Sequence, residues 1–201
     1  MARVRDNHVA WSWGQAAHEN RACQEKPEGA TLMEINRAPV LTLWAVVVAE
    51  RLGYRGDSAL TLGKALAGLN AQSKGRALGI YEAKEKERAE KKKGPGLEVE
   101  FVQLMGRSIP ATRGEKGYLA LDKGKPMDPE SVRRYLDKKF GDKLETVMDA
   151  MRELAGSYGR KELEQSAFGL YEKFRPQIPK GTQGWGAKGE LDIGKIRRLA
   201  K

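Results

Sequence analysis

The sequence predicts an α+β fold: a predominantly helical single domain with a small antiparallel β-hairpin or three-stranded sheet in the middle. Three observations carry this expectation. Apolar residues recur at helical spacing through 36–93 and again through 128–201. Between them, residues 97–122 alternate apolar and polar side chains, the period of a half-buried strand. A chain of 201 residues, 40% hydrophobic and 32% charged, can bury one core beneath a well-solvated surface.

The elements follow in order. Asn36 can cap a helix with Pro39 in its first turn, and the apolar run PVLTLWAVVVA carries it to Leu52, where Gly53 stops it. Asp57 or Ser58 starts a second helix holding Leu60, Leu62, Leu66 and Leu69. Ser73 starts a third through Leu78, Ile80 and Tyr81, continued by EAKEKERAEKKK, in which Glu82–Lys86 and Glu87–Lys91 are i,i+4 pairs on a solvated face. Gly94-Pro95-Gly96 ends it. Leu97, Val99 and Phe101 then alternate with Glu98 and Glu100, which predicts a strand with the glutamates toward solvent. Pro110 and Gly114 punctuate the middle, and GYLALD at 117–122 is another strand. Asp128-Pro129 is a cap with proline at the first helical position, followed by Val132, Tyr135, Leu136 and Phe140 on one face. Asp142 with Glu145 resembles a capping box. After it, Leu144, Val147, Met148, Met151, Leu154, Ala155 and Tyr158 form a regular stripe. Gly159 precedes a further helix with Leu163, Ala167, Leu170, Tyr171 and Phe174. Residues 176–189 are a Pro/Gly-rich loop, and Ile193 to Leu199 a short closing helix.

Residues 1–32 differ from the rest. They hold both histidines, the single cysteine and two of the four tryptophans, are charge-neutral and show no sustained period, so they are expected to be a weakly ordered extension. Met33 is an alternative start. The domain is then 33–201, with helical parts at 36–93 and 128–201 around the sheet at 97–122.

Several chemistries are excluded by residue type. The main domain has no His and no Cys, which removes Ser-His-Asp and Cys-His nucleophilic pairs and ordinary zinc sites. The spacing of His8, His18 and Cys23 matches no ligand pattern. Glu98 and Glu100 share a strand face and could hold Mg²⁺ in a nuclease, but alternating glutamates are what any solvent face presents. In GTQGWGAKGE, Gly181 and Gly186 have Walker A spacing, yet Ala187 occupies the lysine position and no Ser or Thr follows Lys188. The expectation is a non-enzyme with no cofactor and no metal. The longest apolar run, 11 residues, is short of the about 20 that span a bilayer. One cysteine cannot form an internal disulfide, and the N-terminus has no signal-like apolar run, so the expected location is cytoplasmic, with no membrane partner.

The formal net charge of +10 lies entirely on residues 33–201 and argues for a polyanionic partner. Three segments concentrate it: 72–93 has eight Lys/Arg against four Glu, 105–126 has five against two acids, and 173–201 has eight against two. The expected partner is nucleic acid, DNA ahead of RNA, held mainly through phosphate contacts. Candidate contact residues are Arg55, Lys64, Lys74, Arg76, Arg88, Lys91, Lys92, Lys93, Arg107, Arg113, Lys116 and Lys188; Trp185 is expected to anchor its loop to the core, with stacking on bases beside Lys180 and Lys188 as the alternative. The alternative is a non-enzymatic protein-interaction or dimerisation module, using the 144–158 stripe or the apolar 39–52 helix.

Residues 45–64, AVVVAERLGYRGDSALTLGK, resemble a bacterial helix-turn-helix segment. Ala49 and Gly53 match its small residue and turn glycine, while Val48, Leu52, Tyr54, Ala59 and Leu62 occupy its apolar positions. The resemblance implies that the helix near Ser58 enters the major groove, with Arg55, Ser58, Thr61 and Lys64 as contacts. Composition points elsewhere. The first helix is apolar nearly all round, and the second has no Gln, Asn or Arg in its first two turns to read base edges. Gly63 and Gly68 suggest close helix packing. The stretch is therefore expected to be core, and 72–93 and 107–116 to hold the contacts.

Overall fold

The protein is α+β. A computed structural model describes residues 32–77, 97–115, 117–181 and 186–200. In chain order the elements are β1 (Leu32–Asn36), α1 (Arg37–Leu52), α2 (Asp57–Ala77), β2 (Glu100–Leu104), β3 (Arg107–Gly114), β4 (Gly117–Asp122), β5 (Lys125–Pro126), α3 (Pro129–Phe140), α4 (Leu144–Gly156), α5 (Arg160–Phe174), β6 (Lys188–Asp192) and α6 (Ile193–Arg198).

Helix α1 is the axis of the molecule because it has no polar face to keep wet. Every residue from Pro39 to Ala49 is buried. Helix α2 lies along one side of it, and α4 and α5 lie along others. Trp44, fully buried, donates its indole N–H to the Ala167 carbonyl of α5 at 2.8 Å and meets Phe174 edge-on, with ring centroids 5.4 Å apart. The α1 C-terminus is closed as the sequence predicts. Gly53, at φ +111°, gives its N–H to the Glu50 carbonyl, and Tyr54 N–H reaches Ala49, a Schellman arrangement that only a left-handed residue completes easily. Helix α2 does not end at Ser73. It runs unbroken to Ala77, because the small and polar residues at 70–77 are good enough helix formers to continue an exposed turn without a new cap. The remainder of the expected third helix lies outside the described residues.

The sheet has strand order β2-β3-β4-β5, all antiparallel, and its inner face rests on α2. Its register corrects the sequence expectation. Leu97, Val99 and Phe101 are exposed, whereas Val102, Leu104, Ile109, Ala111 and Ala120 are buried on the α2 side. Strand alternation makes this all-or-none: the five buried residues of three strands outweigh the three apolar residues leading into one. Glu100 therefore lies on the inner side at the sheet's end, and is not on the solvent face. A two-residue turn, Met105-Gly106 at φ +48° and +72°, joins β2 to β3. Pro110 sits inside β3, where the ladder to β4 begins one residue later at Ala111↔Ala120, so its missing N–H breaks no β3–β4 bond.

Helix α3 has the expected cap: Asp128 accepts from the backbone N–H groups of Glu130 and Ser131, both at 3.1 Å. The capping box at Asp142–Glu145 does not form. Residues Gly141–Lys143 make a 3₁₀ turn running straight into α4, so no free first turn is left to cap. The stripe on α4 is core, with Val147, Met151, Leu154, Ala155 and Tyr158 buried, and α5 buries the five residues predicted for it. Neither α1 nor α4 therefore offers its apolar face to a partner.

A second sheet was not legible beforehand. β1 pairs with β6 from Leu32↔Asp192 to Asn36↔Lys188, joining the two ends of the described chain. The expected loop at 176–189 thus yields to strand at Lys188. Asn36 occupies the N-cap position of α1 but makes no cap bond; its amide instead donates to the Gly186 and Ala187 carbonyls and ties that loop to the helix start.

At the same end, the Tyr171 hydroxyl donates to the Arg37 carbonyl at 3.2 Å, and burial pushes this phenol up to about 12, opposed by the lesser pull of Arg37. Because the folded value exceeds the unfolded value of about 10, the stability contributed by neutral Tyr171 is complete below about pH 10 and is lost as pH rises toward about 12. At about 1.4 kcal/mol per pH unit, nearly 3 kcal/mol disappears across that window. Tyr171→Phe, which has no proton to lose, should flatten the alkaline limb of urea-midpoint against pH. An unchanged slope would remove Tyr171 from the account.

Candidate nucleic-acid interface

The turn between α1 and α2 and the turn between β3 and β4 meet at one corner of the molecule. Two contacts bring them there. Gly117 begins β4 at φ +123°, and a Cβ at this position would lie 2.5 Å from the Ser58 hydroxyl oxygen, so the sheet approaches the start of α2 as closely as backbone allows. Beside it, Tyr54 and Tyr118 meet edge-to-face with centroids 6.3 Å apart. Tyr118 donates its hydroxyl proton to Glu100 at 3.0 Å. That bond raises the Tyr118 pKa, with the Glu100 charge and burial pushing the same way and Arg113 pulling back. The phenol is thus held protonated, oriented by the glutamate.

Arg113 is the cross-strand partner of Tyr118 and is exposed. Arg55 follows Tyr54 in the turn and is also exposed. Neither makes an ion pair among the described residues, whereas Arg133, Arg152, Arg175, Arg197 and Arg198 all do. The corner therefore presents two guanidinium groups that make no ion pair among the described residues, one beside each member of a tyrosine pair. Two turns some sixty residues apart in sequence supply them.

The other predicted contacts disperse. Arg107 and Arg113 lie at opposite ends of β3, so the 105–126 cluster is split; Arg107 shares its end with the exposed Lys123 and Lys125 turn. Lys64 is half-buried, its ammonium 3.4 Å above the Tyr135 ring. Desolvation, with the charge of Lys139, lowers its pKa. Lys74 is exposed on α2, and Arg76 falls on the same helix. Lys188 is exposed on β6 with its ammonium 3.7 Å from Glu34. Arg88, Lys91, Lys92, Lys93, Lys116 and Trp185 lie outside the described residues.

The contacts implied by the helix-turn-helix resemblance divide sharply. Ser58 and Thr61 are buried; Thr61 donates its hydroxyl to the Asp57 carbonyl at 2.9 Å and accepts from the Ala120 backbone N–H at 3.2 Å. β4 occupies the face that would enter a groove, so neither hydroxyl can reach a base edge. Of the four, only Arg55 is fully presented to solvent.

Sequence reasoning missed Tyr54, Tyr118 and the role of Glu100. One signal was available: G-E-K-G at 114–117 reads as a two-residue hairpin turn, which would have placed Arg113 opposite Tyr118. The contact with Tyr54 had no local signal. Among the described residues no group of three or more His, Cys, Asp or Glu could hold a metal ion, and no helix is long and apolar enough to cross a membrane. No family model, curated protein or solved structure matches this chain.

Proposed function

We propose that this protein binds nucleic acid, DNA ahead of RNA, mainly through its phosphates, and that the Arg55–Arg113 corner is one of its contact sites. The observation that carries the reading is the presence at one corner of two exposed arginines that make no ion pair among the described residues, in a chain whose net charge of +10 is already unbalanced. An unpaired guanidinium keeps its donors free for a phosphate; one already bridged to a carboxylate must first lose that partner. No base-reading helix is invoked, so affinity should depend on salt far more than on sequence.

Fluorescence anisotropy with labelled DNA and RNA oligonucleotides across a salt series tests this. Wild type should bind at low salt with a steep negative slope of log affinity against log salt. Arg55→Ala with Arg113→Ala should lower that slope by about two units, one per phosphate contact, and weaken all sequences alike. Arg133→Ala, which removes a cation already paired with Asp57 and Glu130, should change little. Absence of binding to any oligonucleotide at low salt refutes the reading.

A further inference from the structure

Glu100 is an acid set among the groups that would meet phosphates. It pairs with Ala111, two residues before Arg113 on β3, and Arg113 pairs with Tyr118, so all three side chains leave the same face of the sheet. The bond from the Tyr118 hydroxyl, 3.0 Å long, spans β3 to reach Glu100 Oε2; Oε1 accepts no hydrogen bond among the described residues. Tyr54 meets the Tyr118 ring edge-to-face, and both rings are half-buried, so part of each stays open to solvent. Arg113 stands across the ladder from Tyr118, and Arg55 follows Tyr54 in the chain. Two rings, one acceptor and two cations therefore share the corner.

A carboxylate repels a phosphate passing beside it and by itself weakens such a site. The conflict disappears when the ligand brings a hydrogen-bond donor to Glu100. Backbone phosphates carry none. Bases carry donors on their Watson–Crick edges, which a duplex keeps occupied and a single strand leaves open. Guanine presents an imino and an amino N–H side by side, a match for the two oxygens of a carboxylate. Thymine presents one N–H between two carbonyl oxygens, which a carboxylate repels.

Resting on the nucleic-acid reading above, we infer that the corner takes an unpaired guanine, hydrogen-bonded to Glu100 and stacked against the Tyr54–Tyr118 pair, with its flanking phosphates on Arg113 and Arg55. Tyr118 is the positioning residue, because its hydroxyl holds the Glu100 side chain in the corner. The preference is confined to unpaired bases, so on duplex the site stays blind to sequence.

The test uses labelled DNA: an oligothymidine, the same strand with one central guanine, the same strand with hypoxanthine there, and the guanine strand annealed to its complement. Wild type should bind the guanine strand about tenfold more tightly than oligothymidine. Hypoxanthine, which keeps the imino N–H and lacks the amino group, should fall between. The duplex should gain nothing from its guanine. Glu100→Gln keeps an acceptor for the Tyr118 hydroxyl, so its melting temperature should match wild type, while the guanine preference shrinks to within twofold and thymidine binding is unchanged or stronger. Tyr118→Phe, which releases Glu100 but keeps the ring, should lose part of the preference and little of the thymidine affinity. Arginine-dependent binding in which wild type treats guanine and thymidine strands alike overturns this inference and leaves the general reading standing. So does a folded Glu100→Gln variant that keeps the full preference. If wild type binds no oligonucleotide at low salt, both readings fall together.

Discussion

Trp44→Ala should destabilise the protein by about 4–5 kcal/mol, at the upper end for a buried aromatic. Trp44 is wholly inaccessible, packed edge-on to Phe174, and bonded to the Ala167 carbonyl. Truncation removes the largest fully buried side chain among the described residues, leaves a cavity on an axis ringed by helices that cannot easily collapse inward, and deletes the α1–α5 hydrogen bond. Against a total stability of about 5–15 kcal/mol, this leaves the domain near the edge of folding, and the melting temperature should drop by about 10–20 °C. Trp44→Phe separates the contributions. It retains most of the apolar volume and the ring contact but loses the indole donor, so about 1–2 kcal/mol should be lost. The Ala167 carbonyl keeps its helical partner, which is why the cost stays small. Urea denaturation of both variants checks the pair; equal losses would show that the hydrogen bond, and not the packed volume, holds α1 to α5.

The contrast between α1 and the sheets explains how much the sequence discloses. α1, α3, α4 and α5 were legible because their burial is written in their own residues: an unbroken apolar run, or a stripe beside a recognisable cap such as Asp128-Pro129. β1 and β6 were not, because Lys188-Gly-Glu-Leu-Asp holds one apolar side chain and pairs with a segment some 150 residues away. The face of β2 was misassigned for a related reason. Glu-Val-Glu-Phe alternates convincingly in isolation, but which parity is buried is decided by Ile109 and Ala111 across the ladder. The candidate site shows the same division. Arg55 and Arg113 could be nominated by charge, while the Tyr54–Tyr118 contact that places them at one corner is a product of packing between α2 and β4. Lys64 could be nominated equally well, and only the ring of Tyr135 above which it lies marks it as different.

Gly63→Ala and Gly68→Ala, the same change five residues apart in α2, should have opposite signs. In an exposed helix interior, Ala is favoured over Gly by about 0.5–1 kcal/mol because it loses less backbone entropy on folding. Gly68 meets that condition: it is exposed, and a Cβ there would meet nothing within 4 Å, so Gly68→Ala should raise stability by about that amount. Gly63 faces α1. A Cβ there would sit 2.6 Å from Val46 Cγ2, 2.9 Å from the Thr42 carbonyl oxygen and 2.9 Å from the Val46 backbone nitrogen. The Val46 methyl could rotate, but the two backbone atoms belong to a helix buried on every side. Relief requires α1 and α2 to separate along their whole contact, so Gly63→Ala should cost about 3 kcal/mol even after the helix-propensity gain. The separation would also loosen α2 from β4, since Ser58 and Thr61 on the same helix hold Gly117 and Ala120 in place. Gly63→Ala should therefore weaken oligonucleotide binding as well as lower the denaturation midpoint, and Gly68→Ala should raise the midpoint with binding unchanged. A stabilising Gly63→Ala would mean that α1 and α2 do not approach this closely, and the corner that α2 and the sheet build would lose its structural basis.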